Sequence, residues 1–159
     1  MKRFLFSIIS ILSVIVSYGQ NAGPVMGTGV SVFDVEVEEL SGLCFNEDAT
    51  KLLSCGDQGV VKSISFTGEV ESILVQGAAM EGLTLGPATG DLYLAIEGRQ
   101  EIYRMAAPGY SSAESVFAVK EAVENNYRNG GLEAVEYYKD DILFVGSQTE
   151  ANLWQYRFD

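Results

Sequence analysis

Three segments of this 159-residue chain can be laid over one another, and that internal repeat restricts the fold more than any other feature. The first runs Leu40-Ser41-Gly42-Leu43-Cys44-Phe45, a turn at 46–50, then Lys51-Leu52-Leu53-Ser54-Cys55-Gly56-Asp57. The second runs Met80-Glu81-Gly82-Leu83-Thr84-Leu85, a turn at 86–90, then Asp91-Leu92-Tyr93-Leu94-Ala95-Ile96-Glu97. The third runs Leu132-Glu133-Ala134-Val135-Glu136-Tyr137-Tyr138, a shorter turn at 139–141, then Ile142-Leu143-Phe144-Val145-Gly146-Ser147. The spacings are 40 residues from Leu40 to Met80 and 52 from Met80 to Leu132. A unit of this size, built from short strands, cannot bury its apolar face alone and must stack on its neighbours. A period near 40 residues is that of a β-propeller blade, a sheet of four antiparallel strands.

Each unit continues alike. Val60–Phe66, Glu101–Met105 and Asn152–Phe158 read as third strands, with partly alternating apolar positions. Glu69–Val75 and Glu114–Val119 read as fourth strands. The stretch 113–124 has a second reading: Val116, Phe117, Lys120, Val123 and Tyr127 recur at helical spacing, and Ser112 is a candidate cap. Residues 125–131 read as a loop either way. Val30–Val37 alternates and makes one further strand. The expected fold class is therefore all-β, with about three β-propeller blades, either a piece of a larger propeller or a half that pairs with another copy. Closed propellers use 4–8 blades. Open blade edges and uncovered blade faces then predict self-association, or poor folding of the chain alone.

The first residues read differently. Lys2 and Arg3 precede an apolar run from Phe4 to Val16, and Ser17 and Gly19 are small residues placed for cleavage before Gln20. That is the pattern of a secretory signal peptide over 1–19, followed by a flexible lead-in at 20–29 and a partial propeller domain at 30–159. The run is shorter than the roughly 20 residues a membrane span needs, so no transmembrane segment is expected in the mature chain. The expected location is exported, periplasmic or extracellular. Loss of Lys2 and Arg3 would move the formal charge from −12 to −14. A chain this acidic does not neutralise a phosphate backbone, so nucleic acid is not an expected partner. Histidine is absent, which removes imidazole from any catalytic or metal-binding scheme. Cys44 and Cys55 flank the first turn. If their runs pair as a hairpin they lie close together, and an oxidising compartment permits a disulfide. The other reading is two free thiols packed as small apolar side chains.

The order of the motifs resembles the SdiA-regulated / phytase-like (esterase-like) β-propeller family. Leu40-Ser41-Gly42-Leu43 followed by Cys55-Gly56-Asp57-Gln58-Gly59 is similar to that family's Leu-Ser-Gly-Leu start and Ser-Asp-x-Gly turn, with Gly56 replacing Ser. Met80-Glu81-Gly82-Leu83, Ile96-Glu97-Gly98-Arg99-Gln100 and Ile102-Tyr103-Arg104 match its second unit. Asn129-Gly130-Gly131-Leu132-Glu133-Ala134-Val135 matches its third. The likeness runs from about Glu39 to Phe158 and corresponds to about half of the family domain. It implies an exported six-bladed propeller and, for the phytase-like members, Ca²⁺-dependent phosphoester hydrolysis.

The repeat places acids at equivalent positions. Glu81 and Glu133 begin first strands, and Asp57 and Glu97 follow second strands. First strands of a propeller line its central channel, so these four would stand in a partial ring. Carboxylates with backbone carbonyls suit a hard cation, with Ca²⁺ the natural candidate. The plainer reading is that these acids bond backbone N–H groups in turns or are simply solvated. Catalytic residues cannot be assigned: the few basic side chains do not cluster, and neither a nucleophile elbow nor a phosphate-cradling glycine loop is present. The expected function is a binding or scaffolding module with calcium as a candidate cofactor and its ligand unidentified. The alternatives are a calcium-dependent phosphoesterase and an inactive truncated fragment.

Overall fold

Short apolar runs separated by turns rich in Gly, Asn and Asp fold into antiparallel meanders. The computed structural model describes residues 35, 39–75, 77–86, 89–125 and 130–157. The expected leader at 1–19, the expected lead-in at 20–29 and, apart from Val35, the expected strand at 30–37 lie outside these residues. So do Asn129 and most of the loop at 125–131. The first sheet is β1 (Leu40–Phe45), β2 (Lys51–Gly56), β3 (Val60–Ser65) and β4 (Val70–Val75), hydrogen-bonded in sequence order. The second is β5 (Met80–Leu85), β6 (Leu92–Ile96), β7 (Glu101–Met105) and β8 (Ala113–Ala118), again in order. The third is β9 (Leu132–Tyr137), β10 (Ile142–Ser147) and β11 (Leu153–Arg157). The all-β expectation of antiparallel propeller blades, about three of them, holds.

The first turn of each blade closes by one backbone bond from the residue that follows the inner strand. Asn46 N–H donates to Lys51 O (3.1 Å), Gly86 N–H to Asp91 O (2.8 Å) and Tyr138 N–H to Ile142 O (2.8 Å). The third turn is one residue shorter, and Asp140 and Asp141 both take left-handed backbone there (φ 54° and 57°). Asp tolerates that region better than most residues. In the first turn the Asn46 side chain accepts the N–H groups of Thr50 and Lys51.

The stretch 113–124 divides. Residues 113–118 form β8, paired with β7 and tied to it by the Arg104–Glu114 ion pair. A single helical turn, α1 (Lys120–Glu124), follows. A longer helix with Val116 and Val123 on its apolar side does not form. Those two side chains are exposed, whereas Val119 and Ala122 are fully buried. The break between strand and helical turn at Val119 sets which apolar residues face inward.

Two apolar layers hold the sheets together. Leu53, Cys55 and Val61 of the first blade pack on Met80, Leu83, Leu92 and Leu94 of the second. Tyr93, Ala95 and Ile102 on the opposite face of the second blade pack on Leu132, Val135, Leu143 and Val145 of the third. The second blade is therefore buried on both faces, and every residue of β6 is buried. That explains why 92–96 is uniformly apolar and not alternating. Cys55 lies opposite Gly42, and Cys44 opposite Leu53, two positions along the β1–β2 ladder. Both cysteines are free thiols, and burial pushes Cys44 up to about 11 and Cys55 to about 12. They pack as small apolar groups.

Inner strands of successive blades run side by side, β1 beside β5 and β5 beside β9. The approach is closest at glycine. A Cβ on Gly42 would lie 2.9 Å from Leu83 N, and one on Gly82 would lie 2.9 Å from Val135 N and 3.0 Å from Ala134 Cα. Backbone sits where a side chain would go. Gly82→Val is therefore expected to lower stability by about 1–3 kcal/mol through overpacking. Gly98→Ala, where an added Cβ meets nothing within 4 Å, should stay within about 0.5 kcal/mol of the parent. Urea denaturation measures both. Equal midpoints for Gly82→Val and the parent would show that the strands separate freely.

Candidate carboxylate site

The inner strands share a defect at the same place. In β1 the pairing passes from Leu40↔Gly56 to Gly42↔Cys55 and skips Ser41. In β5 it passes from Met80↔Ile96 to Gly82↔Ala95 and skips Glu81. In β9 it passes from Leu132↔Ser147 to Ala134↔Gly146 and skips Glu133. Each is a β-bulge, an extra residue that breaks the ladder and re-aims a side chain. The bulged residue is Ser41 in the first blade and a glutamate in the other two.

The turn acids meet those bulges from the neighbouring blade. Asp57 follows β2 in a turn closed by Gly59 N–H to Gly56 O (2.9 Å), with Gly59 left-handed (φ 69°). Glu97 opens a 3-10 turn after β6 (Glu97–Arg99). Glu81 of the second blade hydrogen-bonds Asp57 of the first, and Ser41 as well. The Ser41 hydroxyl also reaches Asp57 Oδ1 at 3.3 Å. Glu133 of the third blade feels the charge of Glu97 of the second. The bulge acid of each later blade thus feels the turn acid of the blade before it, through a hydrogen bond for Glu81 with Asp57 and through charge for Glu133 with Glu97. All four side chains are half-buried.

The electrostatic result is unfavourable for ionisation. Glu81 is raised to about 7, chiefly by partial burial, then by its hydrogen bond to Asp57, with the charges of Asp57 and Glu133 adding to it; Ser41 opposes. Glu133 is raised by burial first and then by Glu97 and Asp57. The charges acting on both glutamates are all negative. Glu97 also plays a structural part, since the Gly130 N–H donates to its Oε1 at 2.5 Å and so anchors the entry to β9. The turn-bonding alternative therefore applies to Glu97 directly.

All four acids singled out from the repeat, Asp57, Glu81, Glu97 and Glu133, fall into this one row. Ser41 belongs to it and was legible as the repeat partner of Glu81 and Glu133. Gln148, which follows β10 as Asp57 follows β2, makes the third turn position neutral; its N–H donates to Gly131 O at 3.1 Å. Among the described residues, no three Asp, Glu or Cys side chains form a group able to hold a metal ion. The donor chemistry suits a hard cation, but the carboxylates come in pairs and not in a closed cage.

An open cavity of about 860 Å³ lies away from this row, lined among others by Asn46, Asp48, Lys51, Glu71 and Tyr110. On its rim Asp48 is already satisfied, accepting from the Thr50 hydroxyl at 2.5 Å and from Asn46 Nδ2 at 2.8 Å.

No family model matches the chain, and no curated protein matches its sequence. Solved structures do match in fold. The chain superposes on an auxiliary nutrient binding protein from Bacteroides thetaiotaomicron VPI-5482 with a TM-score of 0.61 and 11% identity, covering 77% of this chain and 29% of that one. A protein whose assignment as a gluconolactonase is provisional gives 0.54 at 15% identity, over 72% and 38% of the two chains. Dihydro-haem d1 dehydrogenase NirN, in complex with DHE, gives 0.54 at 14% identity, over 76% and 26%. These are β-propeller proteins, and at such identities the likeness establishes the fold. The chain spans about a quarter to two-fifths of their lengths.

The Asp57–Glu81 pair sets a pH dependence. The folded chain holds the Glu81 proton up to about pH 7, whereas an unfolded glutamate releases it near 4.5. The folded state thus binds the proton more tightly. Its stabilising share is full below the unfolded value and is lost as pH rises through about 7. The melting temperature is expected to fall between about pH 4.5 and pH 7 and to level off above that, and Glu81→Gln should flatten most of that slope. A parent curve that is level across the interval would mean the two acids do not interact.

Proposed function

We propose that the protein is an exported binding module of the SdiA-regulated / phytase-like propeller type, and that its carboxylate row takes up Ca²⁺ as part of ligand binding. The observation that carries this reading is the repeated cross-blade pairing, Asp57 with Glu81 and Glu97 with Glu133, in which only negative charges act on the two glutamates. A divalent cation relieves that repulsion. Ca²⁺ takes 6–8 oxygens and completes its shell with water, so paired carboxylates with open sides can serve it where a closed cage is lacking. The protons on Glu81 and Glu133 compete with the metal, so uptake strengthens as pH rises past about 7.

A phosphoesterase reading has less support. Such chemistry wants cationic side chains on the transferred group. Arg99 instead donates to the Tyr103 hydroxyl, and Arg104 is paired with Glu114.

The test is thermal denaturation at about pH 8 with and without millimolar calcium, since a ligand that binds only the native state raises the melting temperature. Calcium should raise it, magnesium should do less, and Glu133→Gln should remove most of the gain. Superimposable curves in calcium and in its absence would overturn the metal part. Mass analysis of the protein made in a secreting host tests export. Cleavage after Gly19 is expected, and an intact Met1-initiated chain in the mature product would rule it out.

A further inference from the structure

The repeat allows one position to be compared in two successive blades. Leu53, Ser63 and Glu71 are neighbours across β2, β3 and β4. The ladder registers make them equivalent to Tyr93, Arg104 and Glu114 across β6, β7 and β8. Both outer strand pairs carry a bulge at the same point, between Val61 and Lys62 in the first blade and between Ile102 and Tyr103 in the second, so the equivalence holds residue by residue. In the second blade the position is complete. Arg104 forms an ion pair with Glu114, and the Tyr93 ring stacks on Tyr137 of the third blade with centroids 6.0 Å apart.

In the first blade the same acid lacks its cation. Glu71 stands opposite Ser63 and not an arginine, and neither Glu71 nor Lys51 makes an ion pair among the described residues. Ser63 is 7% exposed, and among the described residues its hydroxyl has no hydrogen-bond partner. A polar group at that depth normally has one. Leu53 stands where the second blade has the Tyr93 ring, and Leu85 where the third has that of Tyr137. The open cavity of about 860 Å³ lies at this position, and Leu53, Ser63 and Glu71 all line it. Both of its walls belong to described residues of two adjoining blades. Leu53, Ile73 and Tyr110 make the apolar part of the lining, and the Tyr110 hydroxyl donates to Gly90 O at 2.8 Å, which fixes the ring. Glu47, Asp48 and Glu71 set three negative charges against the single positive charge of Lys51. Asp48 is already bonded within its own turn, which leaves Glu47 and Glu71 to meet a ligand.

We propose that this cavity binds a small organic guanidinium compound, whose cation takes the place that the Arg104 side chain holds in the next blade. The guanidinium donates to the Glu71 carboxylate and to the Ser63 hydroxyl oxygen, and its aliphatic stem lies on Leu53, Ile73 and Tyr110. A planar guanidinium matches a carboxylate with two parallel bonds, whereas an ammonium offers only a point charge. The site lies at the opposite end of β2 from Asp57, so it is separate from the carboxylate row and its occupancy does not depend on calcium.

Titration of the isotope-labelled chain with butylguanidinium chloride at constant ionic strength, followed by amide NMR shifts, tests this. Saturable shifts are expected at Ser63, Glu71 and Tyr110, with a millimolar dissociation constant. Butylammonium should bind more weakly, and neutral butylurea should not saturate. Glu71→Gln alters an exposed side chain, so the fold is expected to survive, and it should weaken butylguanidinium binding about tenfold or more. Ser63→Arg restores the arginine that the repeat has in the second blade. It should abolish butylguanidinium binding and raise the melting temperature, because the chain then supplies its own cation to Glu71. If Ser63→Arg does not fold, Glu71→Gln carries the test alone. No saturable shift at tens of millimolar butylguanidinium overturns the proposal. So do shifts that butylurea reproduces or that Glu71→Gln leaves unchanged, since the carboxylate would then not select the ligand.

Discussion

Blade-on-blade packing is the constraint from which the rest of the structure follows. A four-stranded sheet of this length has too little apolar area to stand alone, and it gains a core only by laying one face on its neighbour. The second blade shows the consequence most plainly. Its strand β6 is buried on both sides, so it is apolar at every position, whereas β11 of the third blade alternates between exposed and half-buried residues. Burial of a single large apolar side chain contributes about 1.5–3 kcal/mol. The two layers around Leu94 and Leu143 contain many such side chains.

Close packing of the inner strands has a second effect at their starts. Gly42 and Gly82 let the backbones approach, and the residue just before each is bulged out of the ladder. The bulge turns Glu81 and Glu133 towards the preceding blade's turn acids, Asp57 and Glu97, and Ser41 towards Asp57 of its own blade. The acidic row is therefore a by-product of the packing geometry repeated from blade to blade. Partial burial, then the neighbouring acids, hold the Glu81 carboxyl above its ordinary range.

Much of this was legible in the chain itself. The repeat located the strands to within about a residue, because alternation and turn chemistry are local properties. It also brought Asp57, Glu81, Glu97 and Glu133 together on paper, since equivalent positions in stacked blades must align. The stretch 113–124 was ambiguous because Val116, Val119 and Val123 suit either period. Hydrogen bonding of β8 to β7 settled it, with Val119 inward and Val116 outward.

Sequence alone determined the all-β class, the blade-like period, the acidic character and the four carboxylate positions, all of which depend on residue spacing. Tertiary structure decided the rest. It set the two-position offset between Cys44 and Cys55 along the β1–β2 ladder and the approach of each bulged glutamate to the acid of the blade before it. Those features depend on register and on contacts between residues tens of positions apart. A one-residue slip in a strand reverses every side chain's face, and only the packed neighbours fix that choice.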